Sequence, residues 1–142
     1  IDHKVEVEVY GGPFEDMSLA AVFGTPDDFR LQERAVRKGA PGGATIPVTQ
    51  CAVLLRVRRP GAADGEVTWI VLIKPRVLSD SPADVRQYAI THSTFPQEST
   101  ADQFFDEAQW ESYRKLGVTN AEVVLAPQVR KALQTLIEVE VT

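Results

Sequence analysis

The sequence predicts an α/β (or α+β) domain, a mixed sheet with a central antiparallel hairpin covered by two to four packed helices. Three observations predict it. Two runs rich in Val, Leu and Ile, residues 48–58 and 66–74, flank the turn-forming R-P-G-A-A-D-G, the pattern of a hairpin with a several-residue loop. Three later segments open on cap residues and continue with helical spacing. The 142 residues, 44% hydrophobic and 25% charged, suffice for one domain with a core and fall short of two.

The elements follow in chain order. Val5, Val7 and Val9 alternate with Lys4, Glu6 and Glu8, which predicts a half-buried strand; Y-G-G-P-F then breaks it. Residues 17–23 form a short apolar run that fits strand or helix. Thr25 and Pro26 start a helix that Lys38 and Gly39 stop, and G-A-P-G-G-A-T-I-P is a mobile loop. In the hairpin, Cys51, Val53, Leu55 and Val57 line one face while Ala52 and Leu54 add apolar bulk to the other. Apolar residues on both faces predict strands covered on both sides. Ser81, Pro82 and Asp84 are start signals for the next helix. Thr100 and Gln103 form a T-x-x-Q capping box for another, closing at Lys115 with Gly117 beyond. A third helix, P-Q-V-R-K-A-L-Q-T-L-I-E, sets Val129, Ala132, Leu133 and Leu136 on one face, and the final I-E-V-E-V-T alternates as an edge strand. The chain divides into a variable first strand, helix and loop (1–47), a strand hairpin (48–75) and a helical part (80–142).

Composition excludes several function classes. A net charge of −5 and a pI near 5.0 give a field that does not favour nucleic acid. The lone Cys51 cannot form an internal disulfide, so nothing argues for an oxidising compartment. No apolar run nears the ~20 residues of a membrane span and no signal peptide opens the chain, which places the expectation in the cytoplasm. His3, His92 and Cys51 stand at no metal-ligand spacing. Asp102 and Asp106 could share a hard cation, but an acidic helix start already explains them. None of the six serines sits in a G-x-S-x-G elbow, Cys51 reads as a small core residue, and Asp64-Gly65 is turn chemistry. G-A-P-G-G is no phosphate cradle. No catalytic residue, cofactor or metal is expected.

Two surface features remain. Arg30, Arg34, Arg37, Lys38, Arg56, Arg58 and Arg59 face only Glu33 across residues 30–59. On one face they form a basic patch for an anionic membrane surface, at ~1 kcal/mol per residue; otherwise they are scattered solvated charges. In the segment from Thr100, helical angles put Ala101, Phe104, Phe105, Ala108 and Leu116 on a core stripe and Trp110 and Tyr113 opposite. The two phenylalanines are expected to be buried. Trp110 and Tyr113, with Asp106 and Gln97 near them, are either covered by another element or offered to a partner.

The run T-W-I-V-L-I-K-P-R-V-L-S-D-S-P-A-D-V-R-Q-Y-A-I-T-H-S-T-F-P-Q-E-S-T-A-D-Q-F-F-D-E-A-Q-W-E-S-Y-R-K-L-G closely resembles the C-terminal region of bacterial patatin-like phospholipases. The shared marks are a strand ending in I-K-P, a P-A-D-V helix start, an F-P-x-x-S-T-x-D-Q-F-F-D-E-A-Q run and an E-x-Y-R-x-L-G ending. They cover residues 68–117, and I-D-H-K-V-E-V-E-V is similar to a preceding strand. The resemblance implies part of a patatin-like three-layer fold, in a parent whose serine attacks lipid acyl esters with an aspartate as base and a Gly-rich oxyanion loop. Those motifs lie N-terminal to the matched region in the family and are missing here. Gln97 stands where the family usually has His. The expected function is a C-terminal fragment or module of a lipid acyl hydrolase that supplies structure, groove wall or peripheral membrane docking, with the N-terminal hydrolase part as partner. The alternative is a stand-alone protein-interaction domain.

Overall fold

The computed structural model describes residues 5–38, 47–59, 61, 66–99, 101 and 104–140, without the side chains of residues 33–38. Most of the G-A-P-G-G-A-T-I-P loop, Asp64-Gly65, and the Thr100, Asp102 and Gln103 positions lie outside the described residues. The elements run β1 (Glu6–Val9), α1 (Met17–Val22), α2 (Pro26–Lys38), β2 (Ala52–Arg58), β3 (Val67–Ile73), α3 (Ala83–Thr91), α4 (Glu107–Val124) and α5 (Pro127–Glu140). The class is the expected α/β mixture, with five helices among the described residues.

The three strands form one sheet in the order β1-β2-β3, antiparallel throughout. Ala52 lies opposite Ile73 and Arg58 opposite Val67, so the two runs form the expected antiparallel hairpin, with β2 central. An isolated bridge from Phe23 to Ala52 supplies a parallel pairing. One sheet face, carrying Ala52, Leu54, Trp69, Val71 and Ile73, packs on α1, α5 and the end of α4. Leu19, Phe23 and Leu54 are fully enclosed there, each worth roughly 1.5–3 kcal/mol of apolar burial.

Coverage on both sides holds for β2, where Ala52, Val53 and Leu54 are all buried, and fails for β3. β3 is an edge strand whose Thr68, Ile70 and Leu72 are exposed, because α1, α4 and α5 pack on the opposite face and α2 reaches the outer face only beside Val53 and Leu72.

Local chemistry explains the helices. In α2, Asp28 accepts from the Thr25 backbone and hydroxyl at 2.8 Å while Thr25 accepts from the Asp28 N–H at 3.2 Å. This reciprocal pairing satisfies two orphan donors of the first turn. The ambiguous run at 17–23 is α1, capped by Asp16. Residues 137–140 of the predicted C-terminal edge strand are instead the end of α5, and residues 141–142 lie outside the described residues: Arg56 pairs with Glu8 and with Glu140, and Tyr10 donates to Glu140 at 3.1 Å. A helix carries Glu140 to that ion cluster, and local alternation could not outweigh it.

Gly117 does not end the helix from the quoted run. α4 continues seven residues further, to Val124, and a Cβ at Gly117 would meet nothing within 4 Å, so this glycine costs only the ~1 kcal/mol of an exposed helix position. The stop comes before Pro127, which restricts its predecessor and begins α5.

A buried polar clasp joins the parts. Asn120 on α4, fully enclosed, accepts from the Arg76 N–H at 2.9 Å and donates to the Arg76 carbonyl at 3.0 Å. The Arg76 guanidinium donates to Gln32 Oε1 and the Gln50 carbonyl at 2.8 and 2.9 Å, and lies 4.5 Å over the Phe29 ring. Gln50 donates onward to the Ala20 carbonyl at 3.0 Å. Gly24 makes room for it, since a Cβ there would lie 2.5 Å from Gln50 Oε1.

Asn120→Ala is therefore expected to strand a buried N–H and a buried carbonyl and to lower stability by about 3 kcal/mol. Urea denaturation measures it, and a loss below about 0.5 kcal/mol would show that the clasp is idle.

Candidate functional site

The aromatic run occupies the turn between α3 and α4. Leu78 and Ser81 close the turn that precedes α3: Ser81 Oγ accepts from the Leu78 N–H at 2.9 Å. Ser81 is thus buried in a turn and is not the helix cap; Pro82 holds that position without a side-chain bond, and α3 begins at Ala83. At its far end the His92 ring stacks on Tyr88 at 3.8 Å. Phe95, buried, inserts between Tyr88 and Tyr113, with ring centroids at 5.1 and 4.8 Å in edge-on geometry. Phe105 adds a further edge-on contact to Tyr113 at 5.8 Å. Val85 and Leu116 complete this second core, and Lys115 pairs with Asp84 to tie α4 to α3.

The described helix of the run begins at Glu107, with Asp106 as its cap, accepting from the Gln109 N–H at 2.7 Å. Phe104 and Phe105 precede it, so helical angles do not apply to them. Phe104 is 93% exposed and Phe105 about half exposed, which corrects the expectation that both are buried. The buried stripe of α4 is Gln109, Ser112, Leu116, Asn120 and Val124. It is largely polar because each group finds a partner: Gln109 donates to Glu98 at 2.6 Å, Ser112 to the Ala108 carbonyl at 2.7 Å, and Asn120 bonds the Arg76 backbone.

The four candidate interaction residues gather at the turn and the first two turns of α4 but do different work. Trp110 is 64% exposed. Tyr113 is half-buried inside the aromatic cluster, its hydroxyl bonded to Glu98. Asp106 is the cap. Gln97 is exposed, with its N–H donating to the Thr94 carbonyl at 2.6 Å. Glu98, which holds both Gln109 and Tyr113, escaped the sequence reading because an acceptor eleven residues from its donor leaves no periodic mark.

Of the basic residues, Arg56 is engaged by Glu8 and Glu140, Arg30 pairs with Asp27 at 3.1 Å, and Arg58 and Arg59 are exposed. The side chains of Arg34, Arg37 and Lys38 lie outside the described residues. Cys51 is fully enclosed, and burial pushes its thiol up to about 11, the state of an inert core thiol.

Among the described residues one serine meets an acid. Ser18 donates to Asp16 Oδ1 at 2.5 Å from its hydroxyl and at 2.8 Å from its N–H. These bonds hold the Asp16 carboxyl below its ordinary value, the reverse of what a base for serine requires. The pair caps α1. Among the described residues no group of His, Cys, Asp and Glu is arranged to hold a metal ion.

The outer sheet face is the second notable surface. Val7, Val9, Leu55, Val57, Ile70 and Leu72 share it by register, and its strand positions carry no charge. Val7 is 58% and Leu72 52% exposed. The face runs into a groove of about 490 Å³ beside Pro26, Phe29, Lys74 and Pro75.

No known family, curated protein or solved structure matches this chain.

Two outcomes test the aromatic surface. Burial, then the Glu98 hydrogen bond, pushes the Tyr113 phenol up to about 12 from an ordinary value of 10.0. The fold holds the neutral form, so its contribution is whole below pH 10 and is lost as pH rises through about 12. Ultraviolet titration of tyrosinate is expected to show a late transition that Tyr113→Phe removes; a Tyr113 that titrates at its ordinary value would refute the burial argument. Trp110→Ala is expected to leave the melting temperature within about two degrees, as exposed substitutions do; a collapse of the fold would show that Trp110 covers a neighbour.

Proposed function

We propose that this chain is the C-terminal module of a bacterial patatin-like lipid acyl hydrolase, and that it supplies a packing face and a wall of the catalytic part, not the nucleophile. The resemblance over residues 68–117 motivates the reading. The observation that carries it is the uncharged outer face of the sheet, with Val7, Val9, Ile70 and Leu72 open to solvent. A three-layer parent places a further layer against such a face, and removing this apolar area from water would drive the docking. The hydrolase part of the parent is the partner, and the expected place of work is the cytoplasm, at the membrane surface. No helix among the described residues is long and apolar enough to cross a membrane.

A second reading, a stand-alone interaction domain, is favoured by Trp110, whose large exposed ring stands off the core. Exposed aromatics of this kind anchor interfaces.

The coding sequence upstream of this chain decides between them. A G-x-S-x-G elbow in the same reading frame is expected, and in that longer protein Val9→Asp on the outer face should cut ester hydrolysis at least tenfold. The isolated chain should hydrolyse short acyl esters no faster than buffer, since it offers no activated nucleophile. An upstream frame without the elbow, or turnover by the isolated chain that vanishes in Ser18→Ala, would overturn the proposal.

A further inference from the structure

Among the described residues β3 has one unpaired edge, and its sequence is complementary to itself when run antiparallel. Residues 66–74 are E-V-T-W-I-V-L-I-K, an acid, seven uncharged residues and a base, with the two opposite charges equally far from the central Ile70. Among the described residues β3 pairs only with β2. The strand has no proline, and its register against β2 is unbroken over all seven residues. Natural edge strands normally carry a charge, a proline or a bulge that blocks further pairing; this one carries none between its ends.

The hydrogen-bond phase fixes which backbone groups are open. The Lys74 N–H donates to the Cys51 carbonyl at 2.8 Å. In an antiparallel ladder residues alternate between facing the partner strand and facing away. Lys74, Leu72, Ile70 and Thr68 therefore turn their N–H and C=O toward β2, while Ile73, Val71, Trp69 and Val67 turn theirs outward.

We propose that this edge is the self-association surface of the protein, with β3 pairing antiparallel to β3 of a second copy across a two-fold axis at Ile70. In that register Trp69 meets Val71 of the other copy and Val67 meets Ile73, so all four outward-turned residues find an outward-turned partner. Four such pairs exchange about eight backbone hydrogen bonds. Ile70 meets its own copy, and Thr68 meets Leu72. Glu66 then stands opposite Lys74 at both ends. Neither makes an ion pair with any described residue within its own chain. Opposite charges facing across strands stabilise the pairing, and a parallel or shifted alignment loses them. A self-complementary edge selects a second copy over an unrelated strand, because a two-fold contact must match a surface to itself. The product is a six-stranded sheet whose two outer apolar faces join into one.

The inference stands apart from the hydrolase reading and is tested on this chain alone. Analytical ultracentrifugation over a concentration series should show a monomer–dimer equilibrium. Ile70→Lys, which sets two ammonium groups against each other at an exposed position, should abolish the dimer. Circular dichroism melting checks that the variant keeps its fold. Lys74→Glu and Glu66→Lys should each weaken the dimer about tenfold, through two facing pairs of like charge, and the double exchange should restore it without touching Ile70. A protein that stays monomeric at all concentrations, or a dimer indifferent both to Ile70→Lys and to the charge exchange, overturns the proposal.

Discussion

A guanidinium taken out of water constrains everything around it. Removing such a charge from solvent costs several kcal/mol unless its donors are met, and Arg76 meets them with groups from distant parts of the chain: Gln32 of α2, the carbonyl of Gln50 before β2, and the carbonyl of Phe29. Its backbone is meanwhile held at both ends by Asn120 of α4. None of these partners can shift without exposing a polar group to a dry interior. The clasp therefore sets the distance between α2, the sheet and α4, and the apolar core beneath fills the space so defined.

The consequences spread outward. With α4 pinned through Asn120, its buried stripe must pass Gln109 and Ser112, and the turn ahead of it has to supply Glu98. Phe95 then falls between Tyr88 and Tyr113 and seals the second core. Trp110, on a neighbouring strip of the same helix, is left in solvent. On the sheet, the same arrangement stacks α1, α4 and α5 on one side and brings α2 only to the end of the other, beside Val53 and Leu72. The outer face and the β3 edge remain apolar and open, one suited to a further layer and the other to a further strand. Those are distinct surfaces with distinct geometries, since one offers side chains and the other backbone groups.

Sequence by itself determined the elements whose signals are short-range. The hairpin of β2 and β3 follows from two β-branched runs around a turn, α2 from its Thr25–Pro26 start, and the core face of α5 from the spacing of Val129, Ala132, Leu133 and Leu136. Each depends on groups a few residues apart, where backbone sterics and local hydrogen bonds decide. Tertiary structure alone decided the rest. Phe104 and Phe105 lie outside a helix that starts at Glu107 with Asp106 as its cap, residues 137–140 are helix and bring Glu140 to Arg56, and Ser81 exchanged a cap for a buried turn. The Arg76–Asn120 clasp spans 44 residues, and no periodicity marks a pair so far apart. Its partners are ordinary Asn, Gln and Arg whose burial becomes favourable only once all of them are in place, and that condition belongs to the folded whole.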